Sequence, residues 1–188
     1  TNEFFLSLCV CHSLIVETTD EGEASYQGPS PDEVALVETA RRLGFEFLQR
    51  SSKHVRLAFR GRDLTFEILN VLEFTSERRK MSVIARGPDG VVRLFCKGAD
   101  AAILDCLRNY KFLPDGDALI EATNRSLHDF ACTGLRTLCV ASRVVDTEQW
   151  EEWDSRYQEA AASLDDRDEK IAKCAEELEL SLIHISEP

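Results

Sequence analysis

Two runs of alternating apolar residues, each followed by a turn and a second run, decide what this chain can build. Val55, Leu57 and Phe59 alternate with other residues, Gly61-Arg62-Asp63 reverses the chain, and Leu64, Phe66 and Ile68 alternate again. Strand side chains point to opposite faces with a period of two, so this stretch is predicted to be a β-hairpin. Residues 81–86, the turn Gly87-Pro88-Asp89-Gly90 and residues 91–97 predict a second hairpin. Helical patterns lie on both sides of these strands, with no strand–helix–strand alternation. The expected fold is therefore α+β, a central antiparallel sheet flanked by helices, and not a doubly wound nucleotide fold. The 188 residues have room for one substantial core. A single domain is expected over residues 1–180, and Ser181-Leu-Ile-His-Ile-Ser-Glu-Pro188 is set aside as a non-native or disordered tail.

The flanking helices differ in how well the sequence defines them. Ser30-Pro31-Asp32-Glu33 has the form of a capping box, with Ser30 as N-cap, Pro31 where no hydrogen bond is lost, and Glu33 able to reach back to the cap. Apolar residues then recur at helical spacing through Leu43, and Gly44 stands where a helix-ending glycine belongs. Further helices are predicted over residues 2–15, 101–109 and 117–132, the last stopped at Gly134, with a polar loop over 17–28. A strand is predicted over 135–145, followed by two polar helices.

Those last helices hold most of the charge. Between Asp146 and Glu179 there are 13 acidic and 4 basic residues, a net −9 out of the chain's −12. Such a chain is a poor partner for nucleic acid phosphates. No apolar run approaches the ~20 residues a membrane helix needs, and the first residues lack the features of a signal peptide. Seven cysteines without a CxxC pair argue against a disulfide framework and a structural zinc site. Cys9-Val-Cys11-His12 lacks a second ligand cluster, and a reducing environment is expected.

Against this acidic background, Arg78, Arg79, Lys80, Arg86, Arg93 and Lys97 gather between Phe74 and Asp100. There is no GxxxxGK[ST] and no GxGxxG, so any phosphate here would be held by separate side chains and not by a glycine-rich nest. A hairpin can bring Arg79 and Lys97 onto neighbouring strands with Phe74 leading in, which supplies a ring for a base and charges for phosphates. The same residues also have ordinary readings. Phe74 could be core, Arg-Arg-Lys a solvated turn, Glu33 a cap, and Arg136 a partner of a helix C-terminus.

Four motifs favour the first reading. Tyr26-Gln-Gly-Pro-Ser-Pro-Asp-Glu33, Phe74-Thr-Ser-Glu-Arg-Arg-Lys-Met-Ser82, Lys97-Gly-Ala-Asp100 and Gly134-Leu-Arg-Thr-Leu138 occur in that order. Together they resemble the nucleotide-binding (N) domain of the type IV P-type ATPases, the phospholipid flippases, over nearly the whole chain. The resemblance implies that Phe74 stacks on adenine and that Glu33 and Ser76 line the base and ribose side. Arg79, Lys97, Arg136 and Thr137 would form the phosphate side. It implies ATP as ligand, with Mg²⁺ bound mainly by other domains, and no catalytic residue in this stretch.

The family's phosphorylated Asp-Lys-Thr-Gly-Thr is not in this sequence, so the chain is expected to be the soluble N domain of a larger integral membrane protein, on the cytoplasmic face. Its partners would be the phosphorylation and actuator domains, the membrane helices with their phospholipid, and an accessory subunit. One departure concerns Arg79 and Lys80, which reverse the family's usual Lys-Arg order and put a planar fork where a point charge is usual. A non-catalytic regulatory or scaffold domain, and the N domain of a cation-transporting P-type ATPase, are the alternatives.

Overall fold

The computed structural model describes residues 2–18, 24–107, 115–180 and 183–184. Helix α1 (Asn2–Val10) is shorter than its sequence pattern predicts. His12 is the cause. Its ring Nε2 donates to the Cys9 carbonyl at 2.8 Å and its Nδ1 accepts from the Leu14 amide at 3.0 Å, so the imidazole binds backbone groups that a longer helix would pair within itself. The chain continues into β1 (Ile15–Thr18), antiparallel to β2 (Ala24–Gln27). This small hairpin occupies part of the stretch expected to be a loop.

Helix α2 (Pro31–Arg42) follows as the motif predicts, with the Ser30 hydroxyl accepting from the Glu33 amide and Gly44 in the left-handed region at φ 88°. Strand β3 (Phe45–Arg50) starts directly after Gly44. The sequence reading passed over it, because a register shift between Phe47 and Gln49 leaves only Phe45 and Phe47 in alternation. Strands β4 (His54–Phe59), β5 (Arg62–Leu72), β6 (Lys80–Arg86) and β7 (Val92–Gly98) form the two expected hairpins. Then come α3 (Asp100–Leu104), α4 (Gly116–Cys132), β8 (Cys139–Val145), α5 (Thr147–Ala162), α6 (Arg167–Glu179) and the two-residue β9 (Ile183–His184). Strand β8 begins four residues later than predicted, and Leu135 to Leu138 form an exposed approach to it. The helix predicted over 101–109 ends already at Leu104, and residues 108–109 lie outside the described residues. From the segment set aside as a tail, Ile183 and His184 pair with Ser142 and Ala141.

Six antiparallel strands and the short seventh form one sheet in strict sequence order, β3 to β9, as the α+β expectation required. Its central strands are covered on both faces. Met81, Val83, Ala85, Phe95 and Val140 point to one face and meet α1, α2, the β1–β2 hairpin and the segment before it through residues such as Val10, Val37, Tyr26 and Leu14. Ile84, Leu94, Cys96 and Ala141 point to the other and meet Ile103, Trp150, Trp153 and Leu178 of α3, α5 and α6. Five cysteines, Cys9, Cys11, Cys96, Cys106 and Cys139, are buried among the core residues. Burial pushes the Cys9 thiol up to about 12 and the Cys11 thiol up to about 11, which keeps both protonated. Among the described residues, no His, Cys, Asp and Glu side chains cluster in threes to hold a metal, and no helix is long and apolar enough to cross a membrane.

Candidate functional site

The sheet register collects the candidate residues at one end. Leu72 on β5 lies opposite Ser82 on β6, which lies opposite Cys96 on β7. Phe74 is two residues beyond that row, Lys97 one residue beyond it, and Arg79 immediately precedes Lys80, the partner of Gly98. Gly98 in turn pairs with Cys139, so Arg136 and Thr137 approach the same end just ahead of β8. Ser76 is exposed in the turn between β5 and β6. Glu33 joins them from α2 through a 2.7 Å ion pair with Lys97. All seven residues therefore lie toward one end of the inner strands, although they come from four separate stretches of sequence.

Phe74 is 59% exposed. It is not a core residue, and its ring stands in water at the rim of a cationic turn. The turn itself is held at both ends. The Arg79 amide donates to the Thr75 carbonyl at 2.8 Å, the Arg78 amide to the Thr75 hydroxyl at 3.2 Å, and the Arg79 carbonyl accepts from the Ala99 amide at 3.0 Å. Arg79 adopts φ 53°, a left-handed conformation that costs energy for a residue with a Cβ. Gly98 permits this approach, since a Cβ there would fall 2.5 Å from the Arg79 carbonyl oxygen.

Glu33 does not complete the capping box. Its amide donates to Ser30 Oγ at 3.4 Å, but its carboxylate faces away from the cap. Oε1 takes Lys97, and Oε2 accepts from both the amide and the hydroxyl of Ser13, at 2.9 and 2.7 Å. Both members of the ion pair are only 8% exposed. Burial raises the Glu33 carboxyl, but Lys97 and the Ser13 donors outweigh it and hold the group below the usual carboxylate range. The buried His12 nearby is pushed down to about 3, first by burial and then by the cations Arg50 and Lys97, so it is neutral and adds no charge beside the pair. Arg136, far more exposed, pairs with Asp32 at 3.2 Å beside Glu33.

The site opens in two directions. Arg136 and Thr137 line a groove of about 470 Å³ between α2 and α4, whose walls include Leu36, Leu119, Phe130 and Leu138. Arg79 lines a separate polar cavity of about 360 Å³ on the other side of the sheet, with Arg78, Lys80, Cys106 and Glu179. Phe74, Glu33 and Lys97 line neither cavity. Ser13 and Asp32 had no role in the sequence reading, because a serine 20 residues from Glu33 carries no signal of its contact until the fold brings the two together.

Comparison with known proteins identifies the family of the chain. The family model described as P-type ATPase, cytoplasmic domain N, matches residues 1–185. Among curated relatives, the phospholipid-transporting ATPase DRS2 of Saccharomyces cerevisiae is 44% identical over 98% of this chain and 13% of its own length. The phospholipid-transporting ATPase ID of Mus musculus is 40% identical over 97% of the chain and 15% of its own length, and the Homo sapiens protein of that name is 39% identical. The chain thus spans about 13–15% of the length of these relatives. It belongs to the P-type ATPase cytoplasmic N-domain family, and resembles there the N domains of phospholipid-transporting ATPases.

Proposed function

We propose that this chain binds ATP for a phospholipid-translocating P-type ATPase and presents the γ-phosphate to an aspartate outside the chain. The observation that carries this reading is the meeting of an exposed Phe74, the Lys97–Glu33 pair, Arg79 and Arg136 at one end of the sheet. Adenine would stack on Phe74, with Glu33 and Ser76 toward the base and ribose. Lys97, Arg79, Arg136 and Thr137 would face the phosphates, and Mg²⁺ would arrive with them. Lys97 already has a carboxylate partner, so a phosphate would compete with Glu33 for the ammonium instead of meeting an unpaired charge. Glu33, still held by Ser13, would keep one face of its carboxylate for the adenine amino group.

In the parent protein the phosphorylated aspartate would drive phospholipid from the outer to the cytosolic leaflet. This domain would work at the cytoplasmic face beside the phosphorylation and actuator domains, with the membrane helices and an accessory subunit as further partners. By itself the chain would bind ATP in the range of roughly 0.1 to a few mM, about 4–5.5 kcal/mol, without turnover. The test is a titration of ATP and AMP into the wild type and Phe74→Ala. Stacking contributes about 1–3 kcal/mol per base, so Phe74→Ala should weaken both nucleotides by about fivefold or more with an unchanged melting curve. Equal affinities for wild type and variant would remove Phe74 from the site and the reading with it.

A further inference from the structure

On the face of the sheet opposite Glu33, Lys80 and Cys106 touch. Lys80 Nζ donates to Cys106 Sγ at 3.0 Å, while the Cys106 thiol donates to the Ala102 carbonyl at 3.3 Å. Glu179 stands beside them and is fully buried. Its Oε1 accepts from Ser82 Oγ at 2.5 Å and from Arg78. Its Oε2 has no hydrogen-bond donor among the described residues, although Lys80 Nζ is 3.1 Å away as an ion pair. The lysine therefore lies between the sulfur and the second carboxylate oxygen, which is in reach of its proton. Cys106 is only 3% exposed, but it and Lys80 both line the polar cavity of about 360 Å³, which admits a molecule as small as a peroxide. The sequence marked neither residue for this role; Cys106 was one of seven unassigned thiols.

We propose that Lys80 and Cys106 form a peroxide-responsive cross-link, a sulfenamide between the lysine nitrogen and the cysteine sulfur. In the first step the Cys106 sulfur attacks hydrogen peroxide. The O–O bond breaks, one oxygen joins the sulfur to give a sulfenic acid, and the other leaves as water, so sulfur is oxidised and peroxide reduced. In the second step the Lys80 ammonium gives one proton to Glu179 Oε2. The freed nitrogen lone pair attacks the sulfur, the S–O bond breaks, and the departing hydroxide takes a second proton from nitrogen as water. Thiol, amine and peroxide become a sulfenamide and two waters. The lysine loses its charge as Glu179 gains a proton, and the part-exposed Arg78 is left as the cation of the cluster. A dithiol would reduce the S–N bond and restore both residues.

Cys132 is the rival target, since it is exposed and its sulfur lies 3.6 Å from His128 Nε2. The experiment exposes the chain to a small excess of hydrogen peroxide, blocks remaining thiols, and maps the peptides by mass spectrometry. The expected product joins the Lys80 and Cys106 peptides, is lighter than their sum by two hydrogen atoms, and separates on treatment with dithiothreitol. Lys80→Arg keeps a cation beside Glu179 but has no amine, so it should lose the cross-link while Cys106 is still trapped as a sulfenic acid by dimedone. Oxidation at Cys132 with Cys106 left reduced, a Cys106 sulfenic acid in the wild type that never joins Lys80, or a cross-link persisting in Lys80→Arg would each overturn the proposal. The wild-type measurement stands alone if the variant fails to fold.

Discussion

Two buried carboxylates stand back to back across the β6–β7 ladder, and they are satisfied in opposite ways. Glu33, on the α2 face, has one cation and two donors from a single serine. Glu179, on the α6 face, has two cations, Arg78 and Lys80, and the hydroxyl of Ser82. Glu33 remains slightly accessible, and its partner Lys97 lies toward the strand end that also carries Phe74. Glu179 is sealed and ties the last helix to the first residues of β6. With a single cation among the described residues, Glu33 would have one partner to exchange for a ligand in the proposed site, whereas Glu179 is held by two. The sequence pointed to Glu33 through a motif and counted Glu179 only among the acidic residues of two polar helices.

The sharpest way to break the comparison is Glu179→Ala. Removing one member of a buried charge cluster costs about 3–5 kcal/mol, which for a domain of this size lowers Tm by roughly 10 °C. Chemical denaturation should report that loss with nucleotide affinity barely altered at temperatures where the variant is folded. A loss under about 1 kcal/mol would put Glu179 on a par with a surface group.

Lys97→Met should have a smaller effect on stability and a distinctive dependence on pH. The folded Glu33 carboxyl is held below its unfolded value by Lys97 and Ser13. Its stabilising contribution is therefore complete above the unfolded carboxyl value of about 4.3 and is lost as pH falls through the lower folded one. Without Lys97 the burial effect gains weight, the carboxyl rises, and protonation relieves the variant. The gap in Tm between wild type and Lys97→Met should narrow between neutral and roughly pH 4. A gap that stays constant over that range would show that the pair does not control the titration of Glu33.

Arg136→Ala should matter least to the fold. Its pair with Asp32 is largely exposed, and such pairs contribute about 0.2–1 kcal/mol, less in salt. Nucleotide affinity should nevertheless fall several-fold. A fall in Tm of many degrees would contradict the distinction drawn here between rim and core charges.

What the sequence disclosed was local. Helix α2 was legible because Ser30, Pro31 and Gly44 each act on their own few residues of backbone. The two hairpins were legible because alternation and turn are neighbours in the chain. Strand β3 was hidden by the bulge after Phe47, and α1 was read five residues too long because His12 looked like a helix residue while its ring binds backbone at the helix end. The candidate site was legible as a set of residue types, and its partners were not. Glu33 meets Lys97 across 64 positions, Glu179 meets Arg78 across 101, and no local pattern encodes either contact.

The strict sequence order of the sheet has a consequence for how the chain reaches this state. Each strand from β4 to β7 finds a partner in the strand immediately before it, so this ladder can close hairpin by hairpin with little loop entropy to overcome. The ties that span the chain, Arg78 to Glu179 and Glu3 to Ser142, join stretches 101 and 139 residues apart and belong to the end of the process. Cutting such a late tie should leave the refolding rate nearly unchanged and speed unfolding, a kinetic signature that stopped-flow measurements on Glu179→Ala would read directly. On that account the acidic C-terminal helix acts as a latch: the meander assembles without it, and its closure sets how long the assembled domain lasts.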